Sequence, residues 1–202
     1  MSLGDYEAVL TEIAEEWATA EHEIKLAEQI HKRVVFPAIQ ELRYAGSRLA
    51  DALVAISRNA AADEVSGYLT DARFGCHCAR HDVIDASLLK MAIDLDLMLR
   101  KLGHEAVLAA FPKYPELLQK LQNAQFEIAK ARHKRESRRD IYEELQRAEF
   151  PDLVRQFKEA ESNEPLMKRI AMRTRFHRYL AYAFGVAGIV ISLFSWIFPR
   201  TS

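Results

Sequence analysis

Two clusters in this sequence carry residue types that do chemistry. The first is Cys76-His77-Cys78-Ala79-Arg80-His81-Asp82. Its Cys-x-Cys-x-x-His spacing offers Cys76, Cys78 and His81 to a zinc ion as soft and borderline ligands. Structural zinc wants four ligands and the chain has no second cysteine pair, so a distant His or carboxylate must complete the site. The competing reading is small thiols and satisfied histidines packed at the start of a helix. A cysteine nucleophile needs an aligned base and an orienting group, and none can be named. The second cluster is basic: Lys130, Arg132, Lys134, Arg135, Arg138 and Arg139 fall within ten residues, with His133 among them. A run of this kind on a helix is ordinarily a solvated face. Here, however, the apolar seam Leu117, Leu121, Ala124, Ile128, Ala131 continues to Tyr142 and Leu145 through Arg135 and Arg138. Arginines at inward positions need anionic partners. The partner is either the acidic N-terminal helix, or a phosphate-rich ligand such as a nucleotide or short oligonucleotide, which suits the planar, stacking guanidinium.

The elements that must position these clusters are helical. Apolar residues recur at alternating spacings of three and four along most of the chain, and no strand alternation, glycine-rich phosphate loop or repeat interrupts them. Leu10, Ile13, Trp17, Ala20, Ile24, Ala27, His31 and Val34 predict a first helix over about 5–36, broken by Pro37. Ile39, Leu42, Gly46, Leu49, Leu53 and Ile56 predict a second, and Asn59 to Gly67 a connector. Ile84, Leu88, Met91, Leu95, Met98 and Leu102 form the stripe of a third helix over about 77–102, with Gly103 as its C-cap. Pro112 and Pro115 launch a helix from about Glu116 to Glu149. Pro151 marks a break, and Ser162-Asn163-Glu164-Pro165 a second connector before the last helix. The expected fold class is all-α, with long antiparallel helices. Asp82, Asp85, Asp94 and Asp96 read as solvent-facing, because residues two apart on a helix do not face each other.

The last helix runs into Tyr179–Phe198, twenty residues without a charge. At 1.5 Å per residue that is about 30 Å, the thickness of a bilayer core. A buried soluble helix is the alternative, although such helices seldom lack a polar face over this length. Lys168, Arg169, Arg173, Arg175, His177 and Arg178 precede the run and only Arg200 follows it. The positive-inside bias then places the N-terminal region in the cytoplasm, as a single-pass protein of the cell inner membrane. Inside the run, Ala181, Gly185, Gly188, Ser192 and Ser195 share one face, and small faces let membrane helices pack closely. That predicts self-association, either as a plain helix contact or around a narrow pore. The organisation expected is a cytosolic helical domain over 1–165, then a juxtamembrane basic segment and span over 166–202.

Charge is balanced overall, 28 basic against 29 acidic residues, so net charge does not argue for nucleic acid. Its distribution is uneven. Eight acids stand against Lys25 alone between Met1 and Gln29, and there is no acid from Pro165 to Phe198. The acidic helix is a natural reversible partner for a positive surface, and so a candidate latch. Two cysteines one residue apart exclude a disulfide framework. No enzyme is expected: hydrolase signatures and the arginine, four residues, histidine pattern of small helical bacterial nucleases are absent. No resident cofactor is expected beyond the zinc reading.

A helical cytosolic body on one membrane helix, with the basic stripe Lys130–Arg139 and the small face Ala181–Ser195, resembles in layout the oligomeric channel effectors of bacterial antiphage defence, of the Hailong type. The resemblance implies a membrane pore controlled by a nucleotide polymer. The other function the sequence supports is a non-conducting, tail-anchored scaffold that recruits a partner to the membrane.

Overall fold

The computed structural model describes residues 3–133 and 138–197, with side chains throughout these except at 131–133, 138–140 and 192–197. The described residues are helical and contain no strand, in keeping with an all-α fold. A short 3-10 turn, Leu3–Tyr6, leads into α1 (Glu7–His31). Then come α2 (Phe36–Ser57), α3 (Ala62–Leu102), α4 (His104–Ala110), α5 (Tyr114–His133), α6 (Arg138–Glu144), a π-helical turn (Leu145–Glu149) and α7 (Phe150–Ile197). The chain divides into two compact units, one of residues 1–94 with 118–155, the other of residues 95–117 with 156–202.

In the first unit α1, α2 and α3 pack through small residues. One cluster joins Ala20, Ile24 and Ala27 of α1, Val35, Ala38, Leu42 and Ala45 at and along α2, and Cys76, Ala79 and Val83 of α3. A second joins Tyr6, Ile13, Ala52, Ala55, Val65, Leu69 and Ala72. Alanine brings helix axes close, and at one point the approach leaves no room for any side chain. A Cβ on Gly75 of α3 would stand 3.0 Å from Ala45 Cβ and 3.1 Å from the Glu41 carbonyl oxygen of α2. Tight packing of this kind selects alanine and glycine over leucine, and it shifts the buried stripe of α2 off the sequence expectation. Ala38, Ala45, Ala52 and Ala55 are fully buried, whereas Leu53 is exposed and Ile39, Leu49 and Ile56 are only partly covered.

Helix ends follow local chemistry. The first helix is shorter than its periodicity predicts: Lys32 adopts a left-handed conformation (φ 55°) and its N–H bonds to Glu28 O at 2.7 Å, so α1 stops at His31 and Val34 lies exposed. Pro37 stands in the first turn of α2, where a missing N–H does no harm. The predicted connector 59–67 shrinks to the residues around Asn59 (φ 56°), because α3 already begins at Ala62 with Asp63 and Glu64 favourably placed in its first turn. Its C-terminus is as expected. Gly103 has φ 86° and its N–H bonds to Leu99 O at 2.9 Å. The stripe Ile84, Leu88, Met91, Leu95, Met98 is buried.

The two predicted breaks in the last third are absent. The wide turn Leu145–Glu149 immediately precedes Pro151, and Pro151 then falls in the opening turn of α7, where its ring and lost donor are tolerated. Pro165 lies inside α7, which continues through Ser162-Asn163-Glu164 for a total of 48 residues. Ser162 Oγ and Asn163 Nδ2 donate to Glu159 O at 2.7 and 3.0 Å, so the polar side chains expected to end the helix bond back along it. In the second unit Phe111, Tyr114, Val107, Phe157, Met167 and Ala171 are buried, and Tyr114 Oη donates to Leu95 O at 3.3 Å.

Gly75→Ala is expected to lower stability by about 1–3 kcal/mol, since backbone and a core alanine must move to admit one methyl. Gly67→Ala, in the same helix with nothing within 4 Å of its Cβ position, is expected to raise it by about 0.5–1 kcal/mol. Urea unfolding of the two variants checks the opposite signs.

Candidate functional site

The acidic face of α1 meets the basic face of α3. The two helices run parallel, so carboxylates and guanidinium groups fall in step: Glu12 pairs with Arg73 at 2.5 Å, and Glu16 with Arg80 at 2.6 Å. Arg80 is the centre of this contact. Its Nη1 donates to Glu16 Oε2, its Nη2 to Gln146 Oε1 in the π-helical turn, and its Nε lies 3.5 Å from Glu23 Oε1. His77 Nδ1 stands 3.8 Å from the same Glu16 carboxylate. One turn along, His81 stacks on the Tyr142 ring with centroids 3.8 Å apart, and Tyr142 Oη donates to Asp85 Oδ1 at 2.7 Å. Tyr142 is almost wholly buried, so α6 is fastened to α3 by both its ring and its hydroxyl.

One guanidinium serves two carboxylates, and it serves them unequally. Glu16 receives the short hydrogen bond. Glu23 is the more buried, at 6 % exposure, and its Oε2 has no hydrogen-bond partner among the described residues. Burial pushes the Glu23 carboxyl up to about 7, against the pull of Arg80, and the nearby Glu16 charge adds to the rise. Near neutral pH the Arg80 guanidinium therefore stands beside a carboxyl, that of Glu23, which gains or loses a proton.

The Cys/His cluster of the sequence thus lies at the right place in the fold with different members active. Cys76 faces the first core cluster, fully buried, and its burial pushes the thiol up to about 11, far from the thiolate that metal binding or nucleophilic attack requires. Cys78 is partly exposed and His81 is engaged with Tyr142. Among the described residues no three His, Cys, Asp or Glu side chains gather as a metal site would need. Asp85, expected to face solvent, is half-buried against Tyr142, whereas Asp94 and Asp96 pair along their own helix with Lys90 and Arg100.

The basic stripe falls largely outside the described residues. Lys130 is exposed and bonds to Glu127 within its helix at 3.3 Å. The side chains of Arg132, Lys134, Arg135, Arg138 and Arg139 lie outside the description. On either side the seam is as expected, with Leu117, Leu121, Ala124, Ile128, Tyr142 and Leu145 buried. The acids Glu12, Glu16 and Glu23 of α1 are bound to α3. Because α1 also buries Ile13, Ala20, Ile24, Ala27 and Ile30, it is a wall of the core, and a removable latch is the wrong description of it.

The small face of the C-terminal run is open where it is described. Residues 175–191 are exposed on every side of α7, and Gly185 and Gly188 have nothing within 4 Å of their Cβ positions. Ser192 and Ser195 lie on the helix, with side chains outside the description. Among the described residues no helix is long and apolar enough to cross a membrane. The run Tyr179–Phe198 reaches past them, its side chains being described only as far as Ile191.

The cluster sets a pH dependence with a definite sign. With the folded-state value of Glu23 about 7 and the ordinary value 4.5, the folded protein binds more protons than the unfolded chain between these limits. The contribution is full below pH 4.5 and lost as pH rises through 7, by up to about 3 kcal/mol. Unfolding free energies of wild type and Glu23→Gln at pH 5.5 and 8 are expected to converge at the lower pH and to favour the Gln variant at the higher. Arg80→Met, which strands both carboxylates, is expected to destabilise by about 3–5 kcal/mol at pH 8.

No family model matches the chain, and neither a curated protein nor a solved structure matches it.

Proposed function

We propose that this protein is a single-pass membrane protein whose helical region, on the cytoplasmic side of the cell inner membrane, works within a homo-oligomer as a gated effector or ion channel of the antiphage kind, controlled by an anionic nucleotide or oligonucleotide. The observation that carries this reading is the bare apolar end of α7. Phe184, Val186, Ile189 and Ile191 are 60–74 % exposed, on the stretch of α7 beyond the contacts that Arg175 and Arg178 make with Lys101 and Glu105. A helix apolar all round must be covered by something, and a bilayer covers every side at once. The basic residues before Tyr179 favour a cytoplasmic body, and the open glycine face favours contact with further copies. The basic stripe Lys130–Arg139, flanked by buried seam residues on both sides, supports an anionic ligand.

A second reading, a non-conducting tail-anchored scaffold, draws support from a different place. Trp17 and Ile24 of α1 with Ile39 and Leu42 of α2 line an open groove of about 360 Å³, edged by Glu21, Lys25, Glu28 and Arg43. An apolar floor with a charged rim suits recruitment of a partner helix.

The full chain is expected in the carbonate-resistant membrane fraction and a chain ending at His177 in the soluble fraction; full-length protein recovered without detergent overturns the anchor. Reconstituted into liposomes, the full chain is expected to pass ions, and Gly185→Leu with Gly188→Leu to suppress the flux by tenfold or more, on the order of the loss of close helix approach. Arg135→Glu with Arg138→Glu is expected to remove the response to added oligonucleotide. Inserted protein that passes no ions under any condition leaves the scaffold.

A further inference from the structure

In the second unit, the end of α3, the start of α4 and the last packed turns of α7 enclose a cleft of about 390 Å³. Arg100, His104, Thr174, Arg175 and Arg178 line it, and Glu105 is the one acid among the lining residues. The open carbonyls at the end of α3 would repel an anion, but Arg175 Nη2 donates to Lys101 O at 2.6 Å and covers that end with positive charge. Arg178 stands 4.0 Å from Glu105, at the limit of an ion pair and with both side chains about 70 % exposed, so its guanidinium stays open to a better partner. Arg100 reaches Asp96 one turn back at 2.8 Å, an exposed pair that a doubly bonded anion readily displaces. The lining is thus three forked donors, an imidazole and a hydroxyl against a single carboxylate. Its volume falls in the range of small-molecule sites.

The geometry points to a binding site for a phosphate-bearing anion in this cleft, and, resting on the membrane reading above, to the headgroup of an anionic phospholipid as its occupant. Arg178 immediately precedes Tyr179, where the uncharged run begins, so in an inserted protein the cleft lies at headgroup depth. The site is separate from the basic stripe on α5 and α6. It tethers the lipid-facing end of the body through hydrogen bonds of fixed direction, whereas diffuse attraction of a basic juxtamembrane segment has none. Arg169 and Arg173 supply the comparison, being exposed on the same helix but outside the cleft.

The test uses the full chain in a neutral detergent, titrated with short-chain phosphatidylglycerol, short-chain phosphatidylcholine and inorganic phosphate, with bound ligand counted by native mass spectrometry. Phosphatidylglycerol is expected to bind at one saturable site, and Arg100→Gln with Arg178→Gln to weaken it about tenfold or more. Arg169→Gln with Arg173→Gln, the same loss of charge, is expected to change it less than threefold. Should the first pair fail to fold, His104→Leu with Thr174→Val carries the same expectation. Equal loss in the Arg169/Arg173 variant, or phosphatidylcholine binding as well as phosphatidylglycerol, overturns the site. Inorganic phosphate competing at the same concentration as the lipid keeps the phosphate site and overturns the lipid as occupant. A chain that needs no detergent yet still binds phosphate at Arg100 and Arg178 overturns the membrane reading and keeps the site.

Discussion

The guanidinium of Arg80, held between two carboxylates of α1 and the amide of Gln146, is the interaction on which the arrangement of the first unit depends. Alanine-lined helices can slide along one another at little expense, because one methyl resembles the next. The parallel pairing of Glu12 with Arg73 and of Glu16 with Arg80 removes that freedom, since a shift by one turn would leave the partly buried Arg80 and Glu16 charges opposite the wrong neighbours. The same arginine reaches the π-helical turn, so the register of α1 on α3 and the position of the chain leading into Pro151 are set by one side chain.

This arrangement gives the sequence motif around residue 80 a meaning that its spacing concealed. Read locally, Cys76-His77-Cys78 with His81 suggests metal ligands. In the fold, the thiol of Cys76 does the work of a small apolar side chain, whereas His77, Arg80, His81 and Asp85 make the polar contacts. The partners of Arg80 lie 64 and 66 residues away, and no local pattern in a single sequence announces a pair at that distance. What could be seen was the oddity itself, an arginine close to an apolar stripe, opposite an excess of acids on another helix.

Other features were legible for physical reasons that can be named. The large aliphatic side chains from Ile84 to Met98 mark the buried face of α3 because burial of that size has one answer on a helix. The C-cap at Gly103 follows from its positive φ. In α2 the same logic chose leucines and missed the alanines, since hydropathy rewards size and close packing at Gly75 and Ala45 rewards its absence. Proline was over-read. Pro151 and Pro165 break a regular α-helix by default, but a wide turn before the first and helical context on both sides of the second leave α7 continuous.

The continuity of α7 fixes an azimuth. Eighteen residues make five turns of an α-helix, so Gly185 points the same way as Met167, eighteen residues before it and fully buried in the second unit. No proline stands between them to reset the phase. The small-residue side of the apolar run is therefore on the packed side of the rod, not its bare side. Copies that met through Gly185 would each bring the end of α3 and the start of α4, which lie against α7 in the second unit, toward the shared axis. Contact between the C-terminal ends of α7 and contact between the second units of the two copies would then be a single steric problem, met by one joint interface.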